Sequence, residues 1–121
     1  GLRMDRLMAL VEPLPNATAV VFHSFSEGVA IDRPEVSGRY YDSLSLRDAR
    51  SPQTILAYEM NGKPLPRYHG APLRLRVENQ LGFKMVKWIQ AVEFVDDITA
   101  IRGGEGGFAE DNEYFGELAN I

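Results

Sequence analysis

Cysteine is absent from the 121 residues of this chain. Its absence excludes disulfide bonds and metal sites built from the chain's own thiolates. No apolar stretch comes near the roughly 20 residues that a membrane-spanning helix requires. Acidic residues outnumber basic ones, and the formal net charge of −4 argues against general binding to nucleic acids or anionic membranes.

Histidine is also scarce. His23 and His69 are the only two, and their separation in sequence matches no metal-ligand spacing. A Gly-x-Ser-x-Gly motif for a nucleophilic serine is missing too. We expect His23, which stands alone in an apolar stretch, to be a structural residue. The residues by themselves do not indicate a self-sufficient enzyme.

What the chain contains is typical of one globular domain with a modest core, with 45% apolar and 25% charged residues. Its patterns predict an α+β fold, mostly of antiparallel or mixed strands with one or two short helices. The first helix is expected over residues 1–12, where an apolar stripe recurs at helical spacing and Pro13 forbids continuation. That stripe consists of Met4, Leu7, Met8 and Val11.

Two strands are expected next. Residues 17–25 are rich in β-branched and aromatic residues, and residues 40–46 alternate in the manner of a short strand. Glycine and proline between them predict a loop with little regular structure over residues 26–39. Ser45 is then expected to cap a turn or short helix over residues 46–49.

A further strand is predicted over residues 54–60, with Tyr58 as a core aromatic. Asn61-Gly62 follows and supplies the two positive-φ residues of a tight hairpin turn. The next strand carries Leu73, Leu75 and Val77 on one face and two arginines on the other.

The last predicted strand runs over residues 84–95, after a turn at Leu81-Gly82. Its apolar residues share one parity, with Trp88 as a second core aromatic. Beyond it, the Gly-rich sequence GGEGG predicts a flexible connection, and residues 98–121 a polar tail.

Basic side chains gather in the stretch from residue 69 to residue 87, which predicts a seat for a phosphate or another anion. They are His69, Arg74, Arg76, Lys84 and Lys87. On spacing alone a solvated sheet face with ordinary surface charges is the favoured interpretation.

A resemblance changes that balance. The sequence AYEMNGKPLPRYHGAPLRLRV, at residues 57–77, followed by GFKMVKW at residues 82–88, resembles the molybdopterin-binding oxidoreductase domain of the sulfite oxidase family. Weaker similarity runs from residue 2 to about residue 115. The resemblance implies the later half of the sulfite-oxidase-type fold and an activity of oxygen-atom or electron transfer at a molybdenum centre.

The resemblance also implies a site for the pterin cofactor that carries the molybdenum. His69 matches a cofactor-contacting position, and Arg74 matches the arginine at the phosphate end. A short segment completes the anion site with its backbone and a lysine; it corresponds to Met85, Val86 and Lys87. Ser24 falls where some bacterial members place a pterin-contacting threonine. Phe108 stands at the position of the family's tyrosine near the metal, without its hydroxyl.

Residues 1–121 are accordingly expected to be a partial domain, because the family's metal-ligating cysteine lies upstream of the matched region. This chain by itself is expected to be inactive and to contain neither molybdenum nor pterin. The parent enzyme is expected to act on a small oxyanion or a sulfoxide, with a haem or other electron-carrier protein as partner. Its compartment, bacterial periplasm or cytoplasm, stays open.

The alternative is a non-catalytic half-domain that acts as a scaffold or protein-interaction module. An apolar surface left exposed would then pair with a partner or with a second copy of the chain.

Overall fold

The computed structural model describes residues 1–30, 33–77, 85–101 and 105–107, and only the backbone of residues 25–30 and 33–39. Short helices are interspersed among the strands, and every strand pairing described is antiparallel. The predicted α+β class is confirmed. The strands are β1 (Leu2–Arg3), β2 (Ala19–Ala30), β3 (Arg33–Ser45), β4 (Thr54–Ala57), β5 (Glu59–Met60), β6 (Lys63–Pro64), β7 (Arg74–Val77) and β8 (Ile89–Val95). The α-helices are α1 (Met4–Val11) and α2 (Leu46–Ala49), and 3-10 turns cover Arg67–His69 and Ile98–Ala100.

Helix α1 forms over the apolar stripe, but it is shorter than the predicted range 1–12, because Leu2 and Arg3 pair with β4 as strand β1. Met4 and Met8 are buried, but Val11 is half exposed because the helix stops there. Glu12 adopts a left-handed conformation and donates its backbone N–H to the Met8 carbonyl, which closes the helix before Pro13. The stripe therefore anchors α1 through its first two turns.

The larger described sheet has the strand order β3-β2-β8. Its β2 and β3 form a long hairpin, so the loop predicted over residues 26–39 is wrong: both strands extend into it. Gly28 faces Gly38 across the ladder and keeps the strands paired. Pro34 is tolerated because β3 lies at the edge of the described sheet, where a missing N–H breaks no inner ladder.

The second sheet, β1-β4-β7, contains only the first half of the predicted strand 54–60. The chain leaves this sheet at Tyr58, whose carbonyl accepts a hydrogen bond from the Leu65 N–H at 2.8 Å. Residues 59–60 pair with β6 instead. Tyr58 is 46% exposed, so its prediction as a core aromatic is wrong. Asn61 and Gly62 have φ values of 55° and 78°, which confirms the predicted turn.

The predicted strand 84–95 is shorter in the structure. Pairing with β2 begins at Ile89, because Trp88 has a φ of 52° and breaks the extended backbone. Val92 and Phe94 pack against the core on one parity, as predicted, whereas Trp88 is only half-buried. The predicted turn at Leu81-Gly82 lies outside the described residues.

The core lies between the two sheets and α1 and includes Val20, Phe22, Leu75 and Val86, all at most 1% exposed.

Ser45 accepts a hydrogen bond from the Asp48 N–H at 3.1 Å and caps α2 as predicted. In the GGEGG stretch, the Gly106 carbonyl accepts a hydrogen bond from the Ser43 hydroxyl at 2.6 Å. Residues 105–107 of the predicted flexible connection thus contact the end of β3. No helix in the described part of the chain is long and apolar enough to span a membrane.

Candidate anion-binding site

A short turn places the first candidate residues. Pro66 precedes the 3-10 turn Arg67–His69, and its carbonyl accepts the His69 N–H at 2.9 Å. The turn ends at Gly70, whose φ of 111° favours glycine over any residue with a side chain. His69 is exposed at the surface of this turn.

Gly70 lies where three segments of the chain meet. A Cβ atom on Gly70 would stand 3.1 Å from the Cβ of Arg74 and 3.2 Å from both Cβ and Cγ of Lys87. The side-chain stems of Arg74 and Lys87 therefore flank this glycine closely. The two residues come from separate stretches, one at the start of β7 and one just before β8.

The segment that carries Lys87 is fixed at several points. The Val86 side chain is buried, and its carbonyl accepts the Leu75 N–H at 2.8 Å. The carbonyl of Lys87 accepts a hydrogen bond from the Ser24 hydroxyl at 2.8 Å. Ser24 is 1% exposed, so the hydrogen bond is shielded from water. Ser24 thus braces the backbone of Lys87.

Trp88 joins the same segment to the turn. Its indole Nε1–H donates to the Arg67 carbonyl at 2.7 Å, and its backbone N–H donates to the Gly70 carbonyl at 3.1 Å. The Nζ atom of Lys87 lies 5.6 Å from the centroid of the Trp88 ring, within cation–π distance.

Arg74 combines charge with incomplete hydrogen bonding. Its Nη1 donates to the His69 carbonyl at 3.3 Å, whereas its buried Nε has no hydrogen-bond partner among the described residues. Burial lowers the pKa of Arg74 from its usual value, and the like charge of Arg76 lowers it further. A partly buried guanidinium with an unused donor is poorly solvated, and an anion would relieve both deficits.

The structure brings most of the predicted site residues together. His69, Arg74, Val86, Lys87 and Ser24 are connected by the contacts above, and half-buried Met85 precedes Val86 directly. Arg76 is exposed on β7. Lys84 and Phe108 lie outside the described residues.

Sequence reasoning missed Gly70 and Trp88 as parts of the site. A glycine directly after the PRYH turn was an available signal for a close approach of two chain segments. No sequence signal marks the positive φ of Trp88.

Carboxylates collect elsewhere in the molecule. A cleft of about 710 Å³ between the end of α1 and β8 is lined by apolar residues and by Glu12, Glu93, Asp96 and Asp97. The negative charge of this cleft is unsuited to an anion.

His23 pairs with Glu93 across the β2–β8 ladder, with 3.0 Å between Nε2 and Oε1, which agrees with the structural role predicted for His23. The described residues contain no cluster of three or more His, Asp or Glu side chains that could hold a metal ion.

Comparison with known proteins defines the class. The family model described as the oxidoreductase molybdopterin binding domain matches residues 1–100. The chain therefore belongs to this family.

Comparison with individual relatives supports the same family assignment. The chain is 36% identical over 107 residues to the protein-methionine-sulfoxide reductase catalytic subunit MsrP of Gluconobacter oxydans, covering 79% of this chain and 32% of the relative. It is 41% identical over 73 residues to the sulfite oxidase of Arabidopsis thaliana, covering 57% of this chain and 19% of the relative. The chain thus spans about a third or less of these relatives.

The fold agrees as well. The crystal structure of the sulfane dehydrogenase SoxCD from Paracoccus pantotrophus superposes with a TM-score of 0.63 at 22% identity. The match covers 80% of this chain and 22% of that one. The described sheets therefore have the architecture found in that protein.

The family name implies a pterin cofactor, and the site residues fit its phosphate end. The orphaned Nε of Arg74 offers a charged donor, and the stem of Lys87 lies beside the same glycine, Gly70. An arginine fork and a lysine point charge form charge-assisted hydrogen bonds with phosphate oxygens. The chain, which contains no cysteine, supplies no thiolate to the metal end.

Proposed function

We propose that this chain binds the terminal phosphate of the molybdenum–pterin cofactor as part of an oxidoreductase. The single observation that carries the proposal is the unused Nε donor of the partly buried Arg74. The stems of Arg74 and Lys87 both lie close to Gly70. Buried polar groups in folded proteins are normally hydrogen-bonded, so an unused charged donor points to a ligand.

Each residue has a separate task in this proposal. Arg74 donates from its guanidinium and Lys87 from its ammonium, while His69 borders the site at the surface. Ser24, Val86 and Met85 hold the backbone of the lysine segment in place. The bound group supplies two-electron redox chemistry at its metal, and the residues of this chain bind and orient its phosphate.

The activity of the complete enzyme is a further part of the proposal. The relatives are named for the reduction of methionine sulfoxide in proteins and the oxidation of sulfite. We therefore infer oxygen-atom or electron transfer on a sulfoxide or a small oxyanion, with electrons exchanged with a haem or another carrier protein. Since no residue of this chain ligates the metal through sulfur, the chain alone is expected to be inactive.

Fluorescence tests the phosphate site directly, because Trp88 is the only tryptophan in the sequence and touches Lys87. Titration with inorganic pyrophosphate is expected to change the Trp88 emission saturably in the wild-type chain. Arg74→Gln and Lys87→Gln are each expected to weaken binding at least tenfold, as charge-assisted hydrogen bonds are lost.

Arg47→Gln is the matched control, because Arg47 is an exposed arginine on α2 outside the site. It removes one positive charge and should leave the titration unchanged. Equal binding by Arg74→Gln and Arg47→Gln would contradict the proposal, as would a wild-type chain that does not respond to pyrophosphate.

A second candidate is a half-domain that acts as an interaction module. Leu10 and Leu14 are 78% and 73% exposed, and the acidic cleft adjoins Leu14. Exposed apolar side chains of this size support association with a partner or a second copy. Sedimentation of the wild type and of a Leu10→Lys, Leu14→Lys variant tests this candidate; self-association that the variant abolishes would support it.

A further inference from the structure

We propose that Trp88 is a positioning residue, which sets where the Lys87 ammonium lies relative to Arg74. The inference rests on the proposed function, because it assigns a task within the same phosphate site. It starts from the φ of 52° at Trp88, a conformation that residues with bulky side chains seldom adopt. Such strain persists only where the surroundings fix it, and it often marks a functional site.

The surroundings of Trp88 do fix it. The peptide group between Lys87 and Trp88 is held from both sides: its carbonyl accepts from the Ser24 hydroxyl, and its N–H donates to the Gly70 carbonyl. This peptide plane cannot rotate without the loss of both hydrogen bonds. The positive φ follows immediately and turns the chain into β8, where the Ile89 N–H donates to the Leu73 carbonyl at 3.0 Å.

The indole ring extends the clamp to the turn. Its Nε1–H holds the Arg67 carbonyl at 2.7 Å, three residues before Gly70, so Trp88 grips the first and last carbonyls of the turn. The same ring lies 5.6 Å from the Lys87 Nζ. One side chain thus contacts both the turn that contains His69 and Lys87, whose stem lies beside Gly70 together with that of Arg74.

Trp88→Phe isolates the clamp, because phenylalanine keeps an aromatic ring for Lys87 and loses the indole N–H. Binding of inorganic pyrophosphate is measured by ³¹P NMR in four chains: wild type, Trp88→Phe, Lys87→Gln and the double variant. If Trp88 acts through Lys87, Trp88→Phe weakens binding about fivefold in the wild-type background, which is the effect of one lost hydrogen bond. In the Lys87→Gln background the same change has an effect of less than about twofold, because coupled residues are not additive.

Tyr68→Phe is the matched control. Tyr68 is an 86% exposed aromatic residue in the same turn, and its replacement also removes one polar atom from a ring. It should leave binding unchanged in both backgrounds. An equal loss from Trp88→Phe with and without Lys87 would overturn the inference, since a merely structural tryptophan weakens both backgrounds alike. Unchanged binding by Trp88→Phe would overturn it as well.

A readout on the ligand-free chain separates this inference from the proposed function. Amide resonances of residues 67–70 and of Lys87 are expected to shift in Trp88→Phe, while those of residues 19–22 in β2 stay in place. If the wild type does not bind pyrophosphate but these shifts occur, the phosphate site is refuted and the clamp stands. If they do not occur, Trp88 positions nothing and the inference is refuted, whatever the wild type binds.

Discussion

The β3-β2-β8 sheet and the candidate anion-binding site are built in opposite ways. The sheet is a regular ladder over an apolar core, in which Val20 and Phe22 are completely buried. The site consists of a turn and an irregular segment, joined through backbone carbonyls, positive φ values and half-buried cations. Stability is therefore expected to reside in the sheet and ligand recognition in the irregular part, the usual division between scaffold and loops.

The largest loss of unfolding free energy is expected for a substitution in the core of the sheet. Phe22→Ala removes a fully buried ring from the centre of the core and should lower the free energy of unfolding by about 3–5 kcal/mol. Urea denaturation measures the loss. Leu10→Ala is the control, because Leu10 is 78% exposed and its truncation should change little. Similar losses for the two variants would contradict the assignment of the core.

An intermediate effect is expected where the site is most crowded. Gly70→Ala combines an unfavourable φ of 111° with Cβ contacts of 3.1–3.2 Å, and it should cost about 2–3 kcal/mol of unfolding free energy. Gly62→Ala serves as comparison. Gly62 also has a positive φ, of 78°, but no atom outside its chain neighbours lies within 4 Å of the position that a Cβ would take.

The Gly62 variant should cost about 1 kcal/mol, from backbone strain alone. The difference between the two glycine variants then measures the contact of the turn with Arg74 and Lys87. Equal losses would mean that this contact is looser than the structure shows.

A smaller effect is expected at the brace of Lys87. Ser24→Ala leaves the Lys87 carbonyl without the hydroxyl donor and should cost about 1–2 kcal/mol in thermal or urea unfolding. It should also weaken pyrophosphate binding, because the lysine backbone is released. Ser51→Ala, at a serine whose hydroxyl only accepts a long 3.3 Å hydrogen bond from the Gln53 N–H, should be nearly neutral.

The smallest change in unfolding free energy is expected at the surface of the sheet. Glu93→Gln weakens the pair that Glu93 forms with His23. The side chain of Glu93 is 51% exposed and that of His23 is 28% exposed. Exposed side-chain pairs of this kind contribute about 0–1 kcal/mol, so the change in unfolding free energy should stay below about 0.5 kcal/mol. A loss of several kcal/mol in urea denaturation would show that this sheet face is buried against another surface in solution.

The two regions also differ in how well the sequence predicts them. Regular segments follow from local pattern: the apolar stripe predicts α1, Asn61-Gly62 predicts its turn, and Ser45 predicts the start of α2. The β2–β3 hairpin was missed, since its glycines resemble loop residues until Gly28 is seen opposite Gly38.

The site was predictable only as a list of residue types. The resemblance over residues 57–88 indicated Arg74 and Lys87, yet their meeting at Gly70 depends on tertiary contacts that no local pattern encodes. The strained backbone of Trp88 even opposes the local preference for an extended strand. The prediction of Tyr58 as a core residue was also wrong because of a tertiary contact. The chain leaves the sheet at Tyr58, whose carbonyl accepts the hydrogen bond from Leu65.

The hydrogen bond between Ser24 and Lys87 spans 63 residues of sequence, and this span has a kinetic consequence. Contacts of long sequence separation close large loops, which costs chain entropy and slows folding. The proposed anion site needs this contact, so a phosphate-bearing ligand would bind the completed fold. Such a ligand raises stability by mass action, in proportion to the logarithm of its concentration above the dissociation constant. If the proposed site binds the cofactor, cofactor supply favours the folded chain over the unfolded one.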